Sequence, residues 1–344
     1  PHPPPPGAVR TAALPMRTVE ETPLLLEKRD LARPVNLGLA ALGVVAAIVF
    51  SLQPVLPGTS LVFWFNLMKA IVLALSLNLI TGYTGYVDFG HVVFYGLGTY
   101  VAGIAIGMLG IALPVPLWVF VGPLLVAVIA VLVGLPALRL RGAYFAIAML
   151  SFNAATRLIV LNLPRDFAGG AFGIPTPEVY DPRTAYYGMV GLLVAAVLVT
   201  VWLGNSRFGV GLKAIRDDET AAGVMGVRTT PYKLAAFAAS AYFAGAAGSV
   251  DFWFVAFTSN ELVFTNVLTV EMVAAVFLGG SGTVVGPVLG AGLLYMVRDF
   301  LWVRFPFLYL PMFGVVIAVV VLWMPRGIVG FIEDRVPSLR AKFK

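Results

Sequence analysis

The sequence predicts an all-α polytopic membrane protein with eight to ten transmembrane helices, some of them short or broken. Hydrophobic residues make up 60% of the 344 residues and charged residues only 12%, and the mean hydropathy is +0.93. A soluble domain carries about twice that charged fraction. The apolar residues also fall in separate runs that are long enough to cross a bilayer. These observations together favour a bundle of membrane-spanning helices.

A helix that crosses the hydrocarbon core needs about 20 apolar residues, and ten segments approach this length. The third, eighth and ninth segments each touch a cluster of glycines, and the eighth is short, so we expect broken or re-entrant helices there. The ten segments are 35–52, 61–80, 91–112, 114–136, 143–162, 186–203, 232–257, 267–279, 286–303 and 308–324.

The basic residues predict the orientation of these helices. Most of the 23 Lys and Arg residues lie before the first segment, after the fourth, between the sixth and seventh, and after the last. In a ten-span arrangement all of these positions are on one side of the membrane. The positive-inside rule then makes that side, and both termini, cytoplasmic. The net charge of +6 is therefore an orientation signal, and we expect no nucleic-acid partner.

We expect the chain to divide into a transmembrane permease domain and two tails. Residues 1–34 are rich in Pro and Arg and predict a disordered cytoplasmic tail. The transmembrane domain spans 35–324, and 325–344 form a second cytoplasmic tail. Within the domain, 204–231 form a cytoplasmic loop, and the Gly- and Pro-rich 163–185 form the longest external loop.

The densest group of alternating charges, "GVGLKAIRDDETAAGVMGVRTTPYK", lies in the cytoplasmic loop. The spacing predicts one short helix with Lys213 and Arg216 on one face and Leu212, Ile215 and Met225 on or near the other. Charge runs usually mark solvated faces, so this helix is compatible with a simple connection. A surface helix that passes a partner's motion into the spans would have the same shape. Composition does not choose between the two.

A glycine-rich stretch, "TGYTGYVDFGHVVFYGLGTY", follows the second span. Small residues at helical spacing let helices approach closely, whereas a broken helix would line a polar pathway with backbone groups. The stretch also contains the only histidine outside the N-terminal tail, and polar groups within the membrane are functional candidates. The residues that we assign to the translocation pathway or to packing are Gly82, Gly85, Asp88, Gly90 and His91.

A second glycine-rich stretch, "GGSGTVVGPVLGAG", follows Glu271. It lacks the Lys-Ser/Thr pair of a phosphate-binding loop and predicts a tight turn between two closely packed short spans. Gly279, Gly280 and Gly282 join the pathway or packing set. Glu271 lies within a predicted span, where we expect it to pair with Lys69 or to form a hydrogen bond across helices.

Several kinds of chemistry are absent from the sequence. With no cysteine there is no disulfide framework, thiolate metal site or Cys nucleophile. The sequence contains no H-E-x-x-H, no G-x-S-x-G and no G-x-x-x-x-G-K-[ST]. We therefore expect no catalytic residue, metal site or cofactor, and any energy from ATP must come from a partner.

Four stretches together resemble the LivM-type permeases of bacterial branched-chain amino acid ABC transporters. They are "LSLNLITGYTGYVDFGHVVFYGLGTYVAG" (75–103), "LRLRGAYFAIAMLSF" (138–152), "LKAIRDDETAAGVMGVRTTPYKLAAFAASAYFAGAAGSV" (212–250) and "FLGGSGTVVGPVLGA" (277–291). The resemblance covers about 60–325 in order. One departure is Asp88, which stands where the family usually has Ser.

The resemblance implies a permease subunit of an ATP-driven importer of branched-chain or other hydrophobic amino acids, in the bacterial inner membrane. The implied partners are a second homologous permease, two cytoplasmic ABC ATPases, an external substrate-binding protein and the lipid bilayer. The charged stretch is similar to the family's cytoplasmic coupling helix. The implied ATPase-coupling residues are Leu212, Lys213, Ile215, Arg216, Asp217, Asp218 and Glu219.

Two other functions remain open at this point. In an ion-coupled secondary transporter, Asp88, His91, Glu271 and Lys69 would form a proton relay, and inverted repeats are expected. A scaffolding membrane protein would carry no flux. Dependence of transport on a partner ATPase separates the first hypothesis from both.

Overall fold

The computed structural model describes residues 60–111, 115–176, 180–323 and 327–330. Helices dominate this part of the chain, which confirms the predicted all-α class. The predicted first span and N-terminal tail lie outside the described residues, as does most of the C-terminal tail.

The described helices follow the order of the predicted spans. They are α1 (Leu61–Leu77, continued by a π-helix, Asn78–Gly82), α2 (Val92–Gly103, continued by a π-helix, Ile104–Met108), α3 (Val115–Ala137), α4 (Ala143–Asn162), α5 (Arg165–Ala168), α6 (Pro182–Asn205), α7 (Arg207–Asp217), α8 (Glu219–Val224), α9 (Thr229–Val255), α10 (Asn260–Val263), α11 (Asn266–Gly279), α12 (Val285–Arg304) and α13 (Tyr309–Trp323). A 3₁₀ turn (Gly170–Phe172) and two short strands, β1 (Ile174–Pro175) and β2 (Phe257–Thr258), complete the set.

Five helical segments in the described part of the chain are long and apolar enough to cross a membrane. They are Leu61–Gly82, Leu117–Ala137, Ala143–Asn162, Pro182–Asn205 and Asn260–Gly279. Two shorter apolar helices, Val92–Met108 and Tyr309–Val319, accompany them. The polytopic character is thus confirmed, and the full number of crossings stays a prediction.

Helix α9 lies at the centre of the bundle and packs against α1, α2, α3 and α6. Its Ala- and Gly-rich sequence explains this position. A Cβ on Gly98 of α2 would overlap the backbone of Gly245, and a Cβ on Gly248 would overlap the backbone of Tyr95. Such close contact between backbones is how helices associate in lipid, where van der Waals packing replaces the hydrophobic drive.

The connections between helices gather at two ends of the bundle. At one end, the π-helix that follows α1 meets the turn between α11 and α12, where Asn78 Nδ2 donates to Thr283 O at 2.9 Å. Helices α7 and α8 lie at this end, which we call the α7–α8 end. At the other end β1 and β2 pair antiparallel, with Ile174 opposite Thr258. We call it the β-pair end.

The charged stretch forms two helices, so the predicted single helix is wrong. The backbone of Asp218 is extended (φ −157°, ψ 110°), and its carboxylate accepts hydrogen bonds from Thr220 N at 2.8 Å and Ala221 N at 3.0 Å. An aspartate that caps the next helix in this way ends the preceding one. Gly226 (φ +89°) then ends α8. Met225, which was predicted near the apolar face, is 84% exposed.

Candidate functional site

Helices α7 and α8, residues 207–224, form a two-helix arm on the surface of the bundle, which we call the α7–α8 arm. Ser206 caps α7 through a hydrogen bond from Gly209 N to its Oγ at 3.0 Å. Leu212 and Ile215 are fully or almost fully buried, so the apolar face of the arm is pressed against the protein itself. The arm is therefore attached to the spans by packing as well as by polar contacts.

Arg216 bridges two distant turns of the chain. One guanidinium nitrogen donates to Gly82 O at 2.6 Å and to Ser281 O at 3.4 Å. The other donates to Ser281 Oγ at 3.3 Å. Gly82 ends the segment that continues α1, and Ser281 lies between α11 and α12. One side chain of the arm thus reaches both glycine-rich stretches.

The glycines at this junction have no room for a side chain. A Cβ on Gly82 would overlap the side chain of Asn78 and the backbone of Gly282. Gly282 has φ +80°, and its N–H donates to Asn78 Oδ1 at 2.9 Å. Gly85, with φ +77°, faces the aliphatic part of Arg216. The structure therefore places Gly82 and Gly282 in close backbone contact, with Gly85 against the Arg216 side chain that binds Gly82 O.

The other predicted glycines also lie at close contacts or tight turns. A Cβ on Gly90 would overlap the backbone of Met149, and one on Gly279 would overlap the backbone of Gly286. Gly280 has φ +117°, which disfavours a side chain at that position. Packing accounts for this geometry, and a role in the pathway stays a prediction.

Glu219, the first residue of α8, is bound from three directions. Lys233 Nζ donates to Glu219 Oε1 at 2.7 Å, and Tyr86 Oη donates to Oε2 at 2.6 Å. Lys233 is only 3% exposed and also donates to Leu138 O at 2.8 Å. Arg141 Nε lies 3.5 Å from Oε2. This cluster joins the arm to the base of α9, to the loop before α2 and to the α3–α4 connection.

The electrostatics of this cluster favour a charged Glu219. Partial burial raises the pKa of its carboxyl group, but the hydrogen bonds from Lys233 and Tyr86 and the charges of Lys233 and Arg141 outweigh it, and the net pKa is lowered. Burial and the neighbouring carboxylate raise the pKa of Tyr86, which stays a hydrogen-bond donor. The pKa of Asp218 is lowered by the backbone hydrogen bonds from Ala221 and Thr220.

The predicted coupling residues thus fall into two sets. Leu212, Ile215, Arg216 and Glu219 contact the protein's own spans and turns. The side chains of Asp217 and Asp218 are exposed, and Lys213 Nζ lies 5.8 Å from the centre of the Tyr83 ring. Two apolar side chains outside the predicted coupling set, Val224 and Met225, are 85% and 84% exposed at the tip of the arm.

Asp88 and His91 form a fully buried pair inside the bundle. His91 Nδ1 lies 3.1 Å from Asp88 Oδ2, and His91 Nε2 lies 2.9 Å from Ser76 Oγ. All three side chains are 0% exposed, so no substrate reaches them in this conformation. Asp88 also accepts from Gly90 N at 3.0 Å, which fixes the turn before α2. The geometry is that of a buried polar tie between α1 and α2.

Two ion pairs lie deeper in the bundle, and their pairing differs from the expected one. Lys69 Nζ contacts Asp251 Oδ1 at 2.9 Å, and Tyr95 Oη donates to the second oxygen of Asp251 at 2.5 Å. Glu271 contacts Arg298 at 2.7 Å. Of the two expected contacts of Glu271, the pair with Lys69 is wrong, because each residue has a different ion-pair partner. The hydrogen bond across helices is formed, from Arg298 of α12 to Glu271 of α11.

This pairing also separates the four residues of the hypothetical proton relay. Asp88 and His91 bind each other. Lys69 is bound to Asp251 and Glu271 to Arg298, and neither partner belongs to the relay. A relay needs a continuous chain of hydrogen bonds, and the contacts of these four residues in the structure do not make one.

A cavity of about 800 Å³ lies at the β-pair end, beside the two ion pairs. Its lining runs from Ser60, at the start of α1, to Tyr295 and Trp302 of α12 and Leu310 of α13. Four charged side chains face it: Lys69, Glu271, Arg298 and Asp299. Of the predicted pathway residues, Glu271 is the one that lines this space.

Sequence reasoning missed several residues of both sites. Asp251, Arg298, Tyr86, Tyr95 and Lys233 were not among the candidate residues. The available signal was the presence of opposite charges within predicted spans, because such groups pair inside the bundle. A single sequence does not show which of them meet.

Comparisons with known proteins agree with this architecture. The family model described as branched-chain amino acid transport system / permease component matches residues 60–325. The high-affinity branched-chain amino acid transport system permease protein LivM of Salmonella typhimurium is 31% identical over 308 residues, covering 80% of this chain and 70% of the relative. LivM of Escherichia coli K12 is 30% identical over the same length and the same shares.

A more distant similarity covers only part of the chain. The autoinducer 2 import system permease protein LsrC of Yersinia pseudotuberculosis is 33% identical over 117 residues, which is 32% of this chain and 33% of the relative. No solved structure matches the chain. The matched residues 60–325 include the α7–α8 arm, both glycine-rich turns and every residue of the charged cavity. The chain therefore belongs to the family of branched-chain amino acid transport system permease components.

Proposed function

We propose that the chain is the membrane permease subunit of an ATP-driven importer of branched-chain or other hydrophobic amino acids. In this proposal it works in the bacterial inner membrane beside a second, homologous permease. Two cytoplasmic ATPases bind the α7–α8 end, and an external binding protein delivers substrate to the β-pair end. The family and the names of the LivM relatives support the substrate class.

The contact that carries the proposal is the bridge made by Arg216. A force applied to the arm is passed to two turns at once, because Arg216 binds the end of the α1 segment and the α11–α12 turn. Helices α1, α11 and α12 also provide much of the cavity lining at the other end. Movement of the arm and the shape of the cavity are thereby linked through the same three helices.

In this proposal separate subunits bind and hydrolyse ATP, because the sequence contains no Walker-type phosphate-binding loop. The ATPases must bind two conformations of the permease with different affinities, since equal binding shifts no equilibrium. The energetic requirement is modest. Each tenfold step of a concentration gradient costs about 1.4 kcal/mol, so a thousandfold gradient costs about 4 kcal/mol.

The test is uptake of labelled leucine into proteoliposomes that contain the chain with its partner subunits and binding protein. We expect uptake to require ATP on the side of the membrane where the ATPases are bound. Uptake should stop when the ATPases carry a substitution that blocks hydrolysis. A proton gradient without ATP should drive none. Uptake that follows the proton gradient alone would overturn the proposal and favour an ion-coupled transporter.

A further inference from the structure

We propose that Glu271 and Arg298 bind the head group of a zwitterionic amino acid in the cavity at the β-pair end. Glu271 takes the α-ammonium group, and Arg298 takes the α-carboxylate. The inference rests on the proposed function, since it assumes that substrate passes through this subunit. It names the residues that would recognise the part shared by all α-amino acids.

The cavity has the size and lining of a small-molecule site. Its volume of about 800 Å³ lies within the range of about 300–1,000 Å³ typical of ligand pockets. Apolar side chains provide much of its wall, among them Phe63, Leu262, Val267, Leu268 and Leu310. An apolar wall with a few charged groups suits a ligand that has an apolar side chain and a charged head group.

The charges that face the cavity match a neutral zwitterion. Two are cations, Lys69 and Arg298, and two are anions, Glu271 and Asp299. A simple cation or anion would meet equal numbers of like and opposite charges. A zwitterion offers one group to each sign, so complementarity favours it over either ion.

The two ion pairs differ in how many hydrogen-bonding groups they leave available to a ligand. Both oxygens of Asp251 are engaged, one by Lys69 and the other by Tyr95. By contrast, Arg298 contacts Glu271 through one nitrogen and one oxygen, and its side chain is 33% exposed. Arginine has five N–H donors in a planar fork, so Arg298 retains donors for a second, bidentate carboxylate.

The position of the Glu271–Arg298 pair, between two spaces, also suits the binding of a head group. Both residues line the large cavity and, in addition, a small apolar pocket of about 30 Å³ that includes Leu73, Met272 and Ala275. The pair stands where the two spaces meet. A bound head group at this point leaves the side chain of the substrate in contact with apolar walls.

The decisive experiment is ATP-dependent leucine uptake by the reconstituted transporter carrying Glu271→Leu together with Arg298→Met. Replacing both members of an ion pair that is at least partly buried with apolar side chains is often neutral for stability. If the pair is only structural, uptake is therefore retained. If it binds the head group, we expect uptake to fall about tenfold to a hundredfold, while assembly with the ATPases and ATP hydrolysis persist.

The matched control is Arg304→Gln, which removes an exposed charge at the end of the same helix and should leave uptake unchanged. Uptake by the double variant within about twofold of the parent would overturn the inference. If the double variant does not assemble, uptake by the Arg298→Lys variant is the deciding measurement. It keeps the cation but not the planar fork, and parental uptake by it would overturn the inference. A parent that shows no ATP-dependent uptake refutes the proposed function, and the inference falls with it.

Discussion

The two ends of the bundle arrange their charged groups in opposite ways. At the α7–α8 end, Arg216 binds main-chain oxygens, and Lys233 binds a carbonyl, a hydroxyl and a carboxylate within 3 Å. At the β-pair end, Arg298 makes a single contact with Glu271 and is exposed to a cavity of about 800 Å³. At the first end these two cations each bind several partners, whereas at the other end Arg298 faces a large cavity and has spare donors.

This difference indicates a division of roles. Groups that are bound by several partners move as a unit with their neighbours, so the α7–α8 end suits the transfer of force. Groups with spare donors beside open space suit the binding of a ligand that comes and goes. Substitutions at the first end should therefore damage stability and coupling, and those at the second should damage transport with a smaller loss of stability.

The largest effect is expected for Gly282→Val. The residue has φ +80°, and a Cβ would meet the Arg216 guanidinium at 2.6 Å and Gly82 O at 2.8 Å. A branched side chain in this region is strained as well as crowded. We expect a loss of about 2–3 kcal/mol or more in stability and no uptake, measured by thermal unfolding and leucine transport.

The control for this prediction is Gly292→Ala in α12. Apart from the neighbouring backbone of its own helix, no described atom lies within 4 Å of a Cβ at this position, so the variant should be as stable as the parent or slightly more so. Parental stability and uptake in Gly282→Val would show that the two turns separate at little cost. The contrast between the packed and the open end would then lose its basis.

Next in size is Lys233→Met, which leaves Glu219 without its closest cation. Breaking a buried pair is costly because the remaining charge is unpaired, and we expect a loss of about 2–3 kcal/mol. Lys69→Met at the other end should cost less, because Lys69 donates one hydrogen bond, to Asp251, whereas Lys233 also donates to Tyr86 Oη and Leu138 O. Thermal midpoints of the two variants test this order, and equal losses would contradict it.

The same cluster offers a compensating variant. Adding Glu219→Gln to Lys233→Met removes the unpaired charge and should recover part of the lost stability. No recovery would mean that the loss comes from the other two contacts of Lys233, to Tyr86 and Leu138.

Smaller effects, on transport and on ATPase binding, are expected for substitutions in the α7–α8 arm. They should differ between Arg216, which contacts the bundle, and Met225, which is exposed. Arg216→Ala removes charge-assisted hydrogen bonds to the two turns, and we expect about tenfold less leucine transported per ATP hydrolysed, with ATPase binding retained. Met225→Asp changes a side chain that is 84% exposed, so it should weaken ATPase binding without lowering thermal stability. Co-purification of the ATPases, measured together with leucine uptake, distinguishes the two variants. Loss of ATPase binding in Arg216→Ala would place Arg216 at the docking surface instead.

Much of the fold was predictable because its signal is local. Apolar runs of sufficient length identify spans wherever they occur, and α1, α4 and α6 lie close to the predicted segments. The break between α7 and α8 also had a local signal, since Asp218 followed by Glu219 is the pattern of a helix N-terminus. It was overlooked because the apolar spacing of Leu212, Ile215 and Ala222 continues across the break.

The sites were less predictable because their contacts are distant in sequence. Lys69 and Asp251 are separated by 182 positions, and Arg216 and Gly82 by 134. The position of Glu271 within a predicted span made it a candidate, and the resemblance to the LivM-type permeases made Arg216 one. Their partners depend on which helices pack together, and that information is not contained in the periodicity of any one segment.

The smallest expected effect is the pH dependence of the Glu219 cluster. The pKa of Glu219 is lowered in the folded protein, so its ionised form adds stability that is fully present above the ordinary pKa of 4.5. That stability is lost as pH falls through the folded value. The difference in thermal midpoint between the parent and Glu219→Gln should therefore correspond to about 1 kcal/mol near pH 7 and shrink below pH 4.5.

Asp181, towards the β-pair end, provides the matched comparison for this pH dependence. Its pKa is also lowered, by hydrogen bonds from Thr184 where Asp181 caps α6, with no ion pair involved. Asparagine caps helices about as well as aspartate, so Asp181→Asn should differ less from the parent at neutral pH than Glu219→Gln does. Equal differences for the two variants would mean that Lys233 and Arg141 add nothing to Glu219 beyond what a local helix cap provides. The charged cluster would then be a passive contact, and the transfer of force from the arm would rest on Arg216 and on the packing of Leu212 and Ile215.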